Sequence, residues 1–316
     1  LQVAFNQACL DAGYPETYDH NHPDSSGVGP FPMNNPDGVR MSTALTYINP
    51  NRHRINLTIR PNVQVRRVLF DGQRATGVEV ESGGDRFIVE SDLIVLSAGA
   101  IASPQLLMLS GVGPESQLRG LGIPVVKDLP GVGQNLHDHL EVWVQQECTQ
   151  KITLNGWLGP LAKAWIGANW LFLRRGLGTS NHFESNGYIR SRAGLQYPDI
   201  QYHFLAGAIA YDGSSAVKGH GFQVHLGANK PLSRGWVKLQ SKDPAAPPAM
   251  FFNYFDREED REAFRAGVRF TREIFAQPAM DPYRGAEVPQ EAAAASRVVA
   301  EKEAAVAAEA KEAAEK

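Results

Sequence analysis

SAGAIASPQLLMLSGVG, from Ser97 to Gly113, predicts a tight turn that leads from a strand into a helix. It follows DLIVL, a short apolar run that is typical of a buried strand. Ser103 is a suitable N-cap, Pro104 fits the first helical position, and Gly111 suits the C-terminal cap. Because such units bring backbone close to bound nucleotides, the segment indicates a cofactor site. The motif GxGxxG that usually marks such a site is absent from the sequence.

Composition limits the classes of partner. With 316 residues, the chain is long enough for one large or two ordinary domains. Its apolar fraction of 43% allows a sizeable core. A net charge of −3 gives no electrostatic basis for binding nucleic acid or an anionic membrane. Cys9 and Cys148 have neither disulfide nor metal spacing, and no apolar run is long enough to span a membrane. These features predict a cytoplasmic protein with reduced thiols.

Periodicity and turn residues predict an α+β fold. Residues 1–13 form a helix, 14–39 an irregular loop and 41–50 a short helix. Short strands then follow, including INLTIR and DLIVL, with Asp71-Gly72 and Gly83-Gly84 as hairpin turns. From about Leu140, longer alternating strands predict an antiparallel sheet flanked by helices around 160–175 and 256–277. The last 26 residues, rich in Ala, Glu and Lys, predict an exposed helix with little apolar surface.

Several segments resemble the glucose–methanol–choline family of FAD-dependent oxidoreductases. GAIASPQLLMLSGVG is similar to a family signature, LPGVGQNLHDHL to the loop that follows it, and SRGWVKLQSKDPAAPPAMFFNYF to a later sheet-and-turn motif. SNHFESNGYIRS, PDIQYHFL and SAVKGHGFQVH look like the choline-oxidising members. The resemblance covers about residues 1–285, in order and with natural spacing.

The resemblance implies four segments. Residues 1–45 would belong to the substrate domain, 46–139 to a partial, Rossmann-like FAD-binding domain, and 140–285 to the main antiparallel substrate domain; residues 286–316 would be an unrelated helical tail. Family members carry GxGxxG and a catalytic histidine near the C-terminus, and neither is present here. We therefore expect a central fragment of an alcohol dehydrogenase, choline to betaine aldehyde, that is inactive alone.

The sequence leaves other interpretations open. The chain could be a non-enzymatic soluble scaffold, designed or rearranged, with the helical tail as a cap. It could also be a subunit that needs a complementing chain or a homo-oligomer. The resemblance is also compatible with members of the parent family that lie at a membrane surface.

The resemblance also implies cofactor contacts. Val65 is similar to a position whose backbone meets the adenine, and Ala98, Gly99 and Ala100 to positions against the flavin. Small side chains at such positions let the backbone approach a planar cofactor. The alternative is a tight strand-to-helix turn without a ligand. For this chain we favour the turn, and we expect FAD not to be retained.

Substrate recognition is expected on the predicted sheet. A quaternary ammonium group cannot donate hydrogen bonds, so its site needs aromatic faces and a carboxylate. Glu184 is the candidate anion. His203, which resembles a family position near the alcohol, is the candidate contact to it, and the candidate rings are Tyr202 and Phe183. Other aromatic side chains on these strands and their loops are Trp143, Tyr188, Phe204 and Tyr211. The alternatives are that the rings form the core and that Glu184 pairs with Arg190 or Arg192.

NLHDHL carries the densest polar cluster, with Asn135, His137, Asp138 and His139. Residues so close in sequence do not converge easily on one tetrahedral centre, so we favour structural hydrogen bonds over a metal. GxSxG is absent, which gives no support for a nucleophile elbow.

Overall fold

The computed structural model describes residues 1–23, 25–210 and 212–289, and these form two compact units. The sheet unit contains Leu1–Arg54, His139–Pro231 and the described residues from Arg257 onward. The meander unit contains Ile55–Asp138 and Leu232–Asp256. No helix among the described residues is long and apolar enough to cross a membrane.

Six α-helices and fourteen strands are found in the described part of the chain. The helices are α1 (Gln2–Asp11), α2 (Asn49–Asn51), α3 (Gly99–Leu109), α4 (Glu115–Gly120), α5 (Pro160–Leu173) and α6 (Glu258–Phe275). The strands are β1 (Gly27–Pro30), β2 (Gln64–Asp71), β3 (Arg74–Ser82), β4 (Asp85–Glu90), β5 (Val112–Gly113), β6 (Lys127–Asp128), β7 (Gln134–Leu136), β8 (Glu141–Cys148), β9 (Ser185–Ile189), β10 (Ile200–Leu205), β11 (Gly221–Ala228), β12 (Gly235–Lys238), β13 (Ala249–Phe251) and β14 (Arg284–Val288).

The sheet unit is built on a six-stranded sheet with the order β1-β9-β10-β11-β8-β14. Every neighbouring pair in this sheet is antiparallel. Because side chains alternate between the two faces of a strand, the sheet separates an apolar face from a polar and aromatic one. On β10, Tyr202 and Phe204 are fully buried on the apolar face, and His203 between them points to the other.

Helices α1 and α6 contact the apolar face. Phe5 of α1 stacks on Phe204 with ring centroids 4.4 Å apart, and Phe275 of α6 meets Phe222 edge to face at 5.2 Å. The Tyr202 hydroxyl donates a hydrogen bond of 3.0 Å to the carbonyl of Gly267 in α6. Burial of these rings stabilises the unit and fixes the strands against the helices.

The meander unit contains the three-stranded sheet β2-β3-β4 and a second sheet, β13-β12-β7. Its core is an apolar cluster that includes Met108 of α3, Leu118 of α4 and Val237 of β12. The Ser110 hydroxyl joins α3 to β2, because it accepts a hydrogen bond of 2.8 Å from the amide of Val68. This contact fixes the end of α3 beside the meander.

The predicted α+β class with an antiparallel sheet and flanking helices is confirmed, and so are both hairpins of the meander. Helix α3 begins at Gly99, so Ser103 is not its N-cap and Pro104 lies inside the helix. The Ser103 hydroxyl instead accepts a hydrogen bond from the amide of Ala98. Gly111 follows the C-cap residue Ser110 with φ +87°, a conformation that favours glycine, as predicted for the end of this helix.

Two predicted strands are wrong. INLTIR and DLIVL are not strands, and no strand among the described residues pairs with them. Ile55, Leu93 and Val95 are accordingly exposed, so DLIVL is not buried. The apolar run DLIVL predicted a buried strand, but a strand forms only where a neighbouring strand satisfies its backbone hydrogen bonds.

Other features differ from the predicted arrangement. The irregular loop at 14–39 contains β1, which pairs with β9. Residues 232–256 belong to the meander unit, because β12 pairs with β7 and β13 there. Most of the predicted helical tail lies outside the described residues, and 284–288 form β14.

The stacking of Phe5 on the sheet can be tested by truncation. Phe5→Ala removes a ring that is fully buried, so we expect the free energy of unfolding to fall by about 3–5 kcal/mol. Val3→Ala, on the same helix at a position that is 83% exposed, is the control and should change it little. Urea unfolding followed by circular dichroism measures both variants. Equal stability of the two would contradict the packing described for α1.

Candidate functional site

The polar face of the sheet unit carries a row of rings. His203 of β10 lies directly opposite His225 of β11, and His225 lies opposite Trp143 of β8. Directly opposed residues of antiparallel strands lie on the same face with their side chains in contact range. The register therefore brings three residues together that are far apart in sequence.

Two loop residues extend this row. Phe183 meets His203 edge to face at a centroid distance of 5.9 Å and His225 at 5.2 Å. Phe31 contacts His203 at 5.4 Å, and the rings of Trp143 and His225 are 4.9 Å apart. Phe31, Phe183, His203, His225 and Trp143 thus form a continuous surface, which we call the aromatic wall.

Glu141 provides the negative charge of the wall. Its Oε1 atom accepts a hydrogen bond of 2.9 Å from His225 Nδ1 and one of 3.0 Å from Trp143 Nε1. The hydrogen bond from His225 is the main reason that the pKa of Glu141 is lowered to about 2; the Trp143 hydrogen bond acts in the same direction, and partial burial opposes both. Glu141 is therefore ionised at neutral pH.

His203 contributes a neutral ring. Burial is the main cause that lowers its pKa to about 4, the nearby His225 acts in the same direction, and the charge of Glu141 opposes them. At neutral pH this ring is consequently an uncharged aromatic face in the same wall as the Glu141 carboxylate. Aromatic faces and a carboxylate attract an organic cation, and a quaternary ammonium group needs no hydrogen-bond acceptor because it has no N–H to donate.

The residues expected at a substrate site occupy different places. His203, Phe183 and Trp143 lie in the aromatic wall. Tyr202 is fully buried on the opposite face, with its hydroxyl bonded to Gly267. The side chain of Glu184 is exposed, and its charge partly offsets the lowering of the His182 pKa that burial causes.

Three further residues were missed by the expectations from sequence. Cross-strand register brings His225 and Glu141 into the site, and a loop brings Phe31 into it. Neither relation can be read from the sequence. Of the remaining candidate rings, Phe204 is in the core against Phe5 and Tyr188 packs edge to face on His20. Tyr211 is outside the described residues. The one available signal for His225 was its position in GFQVHLGAN, where polar side chains alternate with apolar ones.

The expected cofactor residues lie in the meander unit, around a groove of about 220 Å³. Val65 and Ala98 line this groove together with other mostly apolar side chains: Gln64, Ala102, Gln105, Leu106, Leu109 and Pro244. Ala98, Gly99 and Ala100 are exposed, and Gly99 has φ +90°, a conformation that favours glycine. An apolar groove with exposed small residues fits one side of a planar ring system.

The NLHDHL cluster is held by hydrogen bonds both within its own loop and to Tyr254. The His137 ring contacts the carbonyl of Asn135 through Nδ1 at 3.0 Å, and the Tyr254 hydroxyl donates to Asp138 at 3.1 Å. Asn135 itself has φ +63°, which asparagine tolerates better than most residues. Among the described residues no three metal-ligating side chains are grouped.

Family models and curated relatives match over most of the chain. Two models, both described as GMC oxidoreductase, match residues 1–141 and 231–315, the second running into the alanine-rich tail. An oxygen-dependent choline dehydrogenase of Photobacterium profundum is 50% identical over 289 residues, 91% of this chain and 51% of the relative. One from Brucella anthropi is 49% identical over 286 residues, 90% and 52% of the two chains. The chain spans about half the length of these relatives.

Solved structures share the fold. A pyridoxine 4-oxidase from Mesorbium loti is 27% identical, with a TM-score of 0.78 over 92% of this chain and 55% of that one. A variant of the formate oxidase from Aspergillus oryzae RIB40, studied for FAD modification, is 24% identical, with a TM-score of 0.83 over the same shares. With two family models that together match more than half of its length, the chain belongs to the GMC oxidoreductase family.

Proposed function

We propose that the sheet unit binds choline or a similar alcohol that carries a quaternary ammonium group. The aromatic wall supports this proposal, since five contiguous rings and an ionised carboxylate are the groups that bind such a cation. The curated relatives that act on choline also support it. Glu184 lies next to Phe183 in sequence, and we propose it as a second carboxylate for the cation.

We also propose that the meander unit contacts FAD through Val65, Ala98, Gly99 and Ala100. FAD, when bound there, would supply the hydride acceptor for oxidation of the alcohol. This chain's own residues bind and orient the substrate: the wall holds the cationic end, and neutral His203 is available as a hydrogen-bonding partner of the alcohol oxygen. We infer that the cytoplasmic protein oxidises choline only when the remaining flavin contacts, GxGxxG among them, are supplied.

Tetramethylammonium binding tests the wall directly. In Phe183→Ala the ring that bridges His203 and His225 is lost, and we expect the dissociation constant to rise about tenfold, because each ring contributes of the order of 1 kcal/mol. Phe172→Ala in α5, a ring that is 79% exposed, is the control and should bind as the parent chain does. Isothermal calorimetry gives both affinities. Absence of any binding heat in the parent chain would favour the non-enzymatic scaffold instead.

Cation affinity should depend on pH through His203. Below a pH of about 4 the ring gains a proton, and the imidazolium repels the bound cation, so affinity falls as the pH falls through this value. Glu141 remains ionised there because its pKa is about 2. His203→Gln should remove the dependence, whereas exposed His53→Gln should retain it. Calorimetry at several pH values measures the affinity, and a melting curve at each pH checks that the protein is folded. If affinity depends on pH in His203→Gln as it does in the parent chain, His203 is not the source of the dependence.

The flavin contacts can be tested without activity. Because GxGxxG is absent from its sequence, we expect the chain to purify without flavin colour and to bind added FAD only weakly. Ala102→Trp fills the groove beside Ala98 and should abolish the rise in FAD fluorescence anisotropy. Ala164→Trp, an exposed position on α5, is the matched control. Retained binding in Ala102→Trp would show that FAD does not use this groove.

A further inference from the structure

A chain of hydrogen bonds runs beside the aromatic wall on the same face of the sheet and fixes the direction of each donor. Gln223 Oε1 accepts hydrogen bonds from Gln145 Nε2 at 2.7 Å and from the backbone amide of Ile209 at 2.9 Å. An atom that accepts from two N–H groups must be the amide oxygen. The other terminal atom of Gln223 is therefore the nitrogen, which carries two protons.

This orientation determines the tautomer of His225. The Gln223 Nε2 atom lies 2.5 Å from His225 Nε2, and Gln223 is almost fully buried. Since the amide nitrogen is a donor, the ring nitrogen must accept and carry no proton. A proton at that position would place two buried donors against each other, which is costly. The ring proton of His225 therefore lies on Nδ1, where it is donated to Glu141.

Glu141 restrains two rings of the wall with one oxygen. Oε1 receives both the Nδ1–H of His225 and the Nε1–H of Trp143. The two ring planes are held at 44° to each other, and Phe183 packs on the His225 side. Because charge-assisted hydrogen bonds are stronger than neutral ones, this carboxylate is well suited to hold both rings in place.

We propose that Glu141 is a positioning residue of the cation site, which acts as the shared acceptor that orients His225 and Trp143. This inference rests on the proposed function for its substrate and assigns a role to a carboxylate that is distinct from that of Glu184. Glu184 is exposed, and no ring of the wall donates a hydrogen bond to its carboxylate in the described part of the chain. The acceptor oxygen at position 141, rather than its charge alone, is the required feature.

Two substitutions separate the acceptor from the charge. Glu141→Gln keeps an oxygen that can accept both hydrogen bonds, whereas Glu141→Ala removes it. Tetramethylammonium affinity should fall about tenfold in Glu141→Ala and less than threefold in Glu141→Gln, because only the first releases two rings. Glu147→Ala, an exposed position on the same strand and face, is the matched control. An equal loss in Glu141→Gln and Glu141→Ala would overturn the positioning role.

Nuclear magnetic resonance tests the same proposal without any ligand. In the parent chain labelled with ¹⁵N-histidine, His225, assigned with a His225→Gln variant, should show a protonated Nδ1 and a bare Nε2. The Trp143 indole proton, assigned with Trp143→Phe, should exchange slowly with water and lose this protection in Glu141→Ala but not in Glu141→Gln. A protonated Nε2, or an indole indifferent to Glu141→Ala, would contradict the proposal. If the spectra agree and no cation binds, the proposed function fails and the positioning role stands.

Discussion

The antiparallel register of β9, β10, β11 and β8 is the constraint on which the site depends. A strand places consecutive side chains on opposite faces, so one register decides both what enters the core and what faces outward. With His203 opposite His225 and His225 opposite Trp143, the outward row becomes aromatic along three strands. A shift of one residue would exchange this row for the apolar core residues, and both the packing and the site would be lost together.

The two faces support each other. Phe204 and Tyr202 are immobilised against α1 and α6, and this holds the backbone of β10 beneath His203. On the outward face, hydrogen bonds hold the rings in place. Glu141 accepts one from Nδ1 of His225, and Gln223 donates one to Nε2 of His225, so both ring nitrogens are paired and the tautomer is fixed. A buried polar network of this kind defines one geometry only when its members are all paired. Preorganised rings lower the entropy cost of binding a cation.

Much of the fold was predictable from the sequence, whereas the site was predictable only in part. Alternation identified β10 and β11 because apolar and polar residues exchange regularly there. His203 and Phe183 were expected and lie in the wall. Tyr202 was expected beside His203, although neighbouring residues on a strand point to opposite faces, and it lies in the core. His225 and Glu141 became visible only through cross-strand register, which no single segment encodes. The exposed DLIVL shows the converse, since an apolar run does not reveal whether a strand will pair with it.

The proposed site requires that the outward face of this sheet recognise the positive charge of its ligand. Calorimetric titration with choline and with dimethylbutanol, its uncharged carbon isostere, tests this requirement most directly, since the two molecules share their shape and hydroxyl group. We predict that choline binds at least about tenfold more tightly, because cation–π attraction to the rings that Glu141 orients acts on the charged ligand alone. Equal affinities would contradict it, since the wall would then be only an apolar surface.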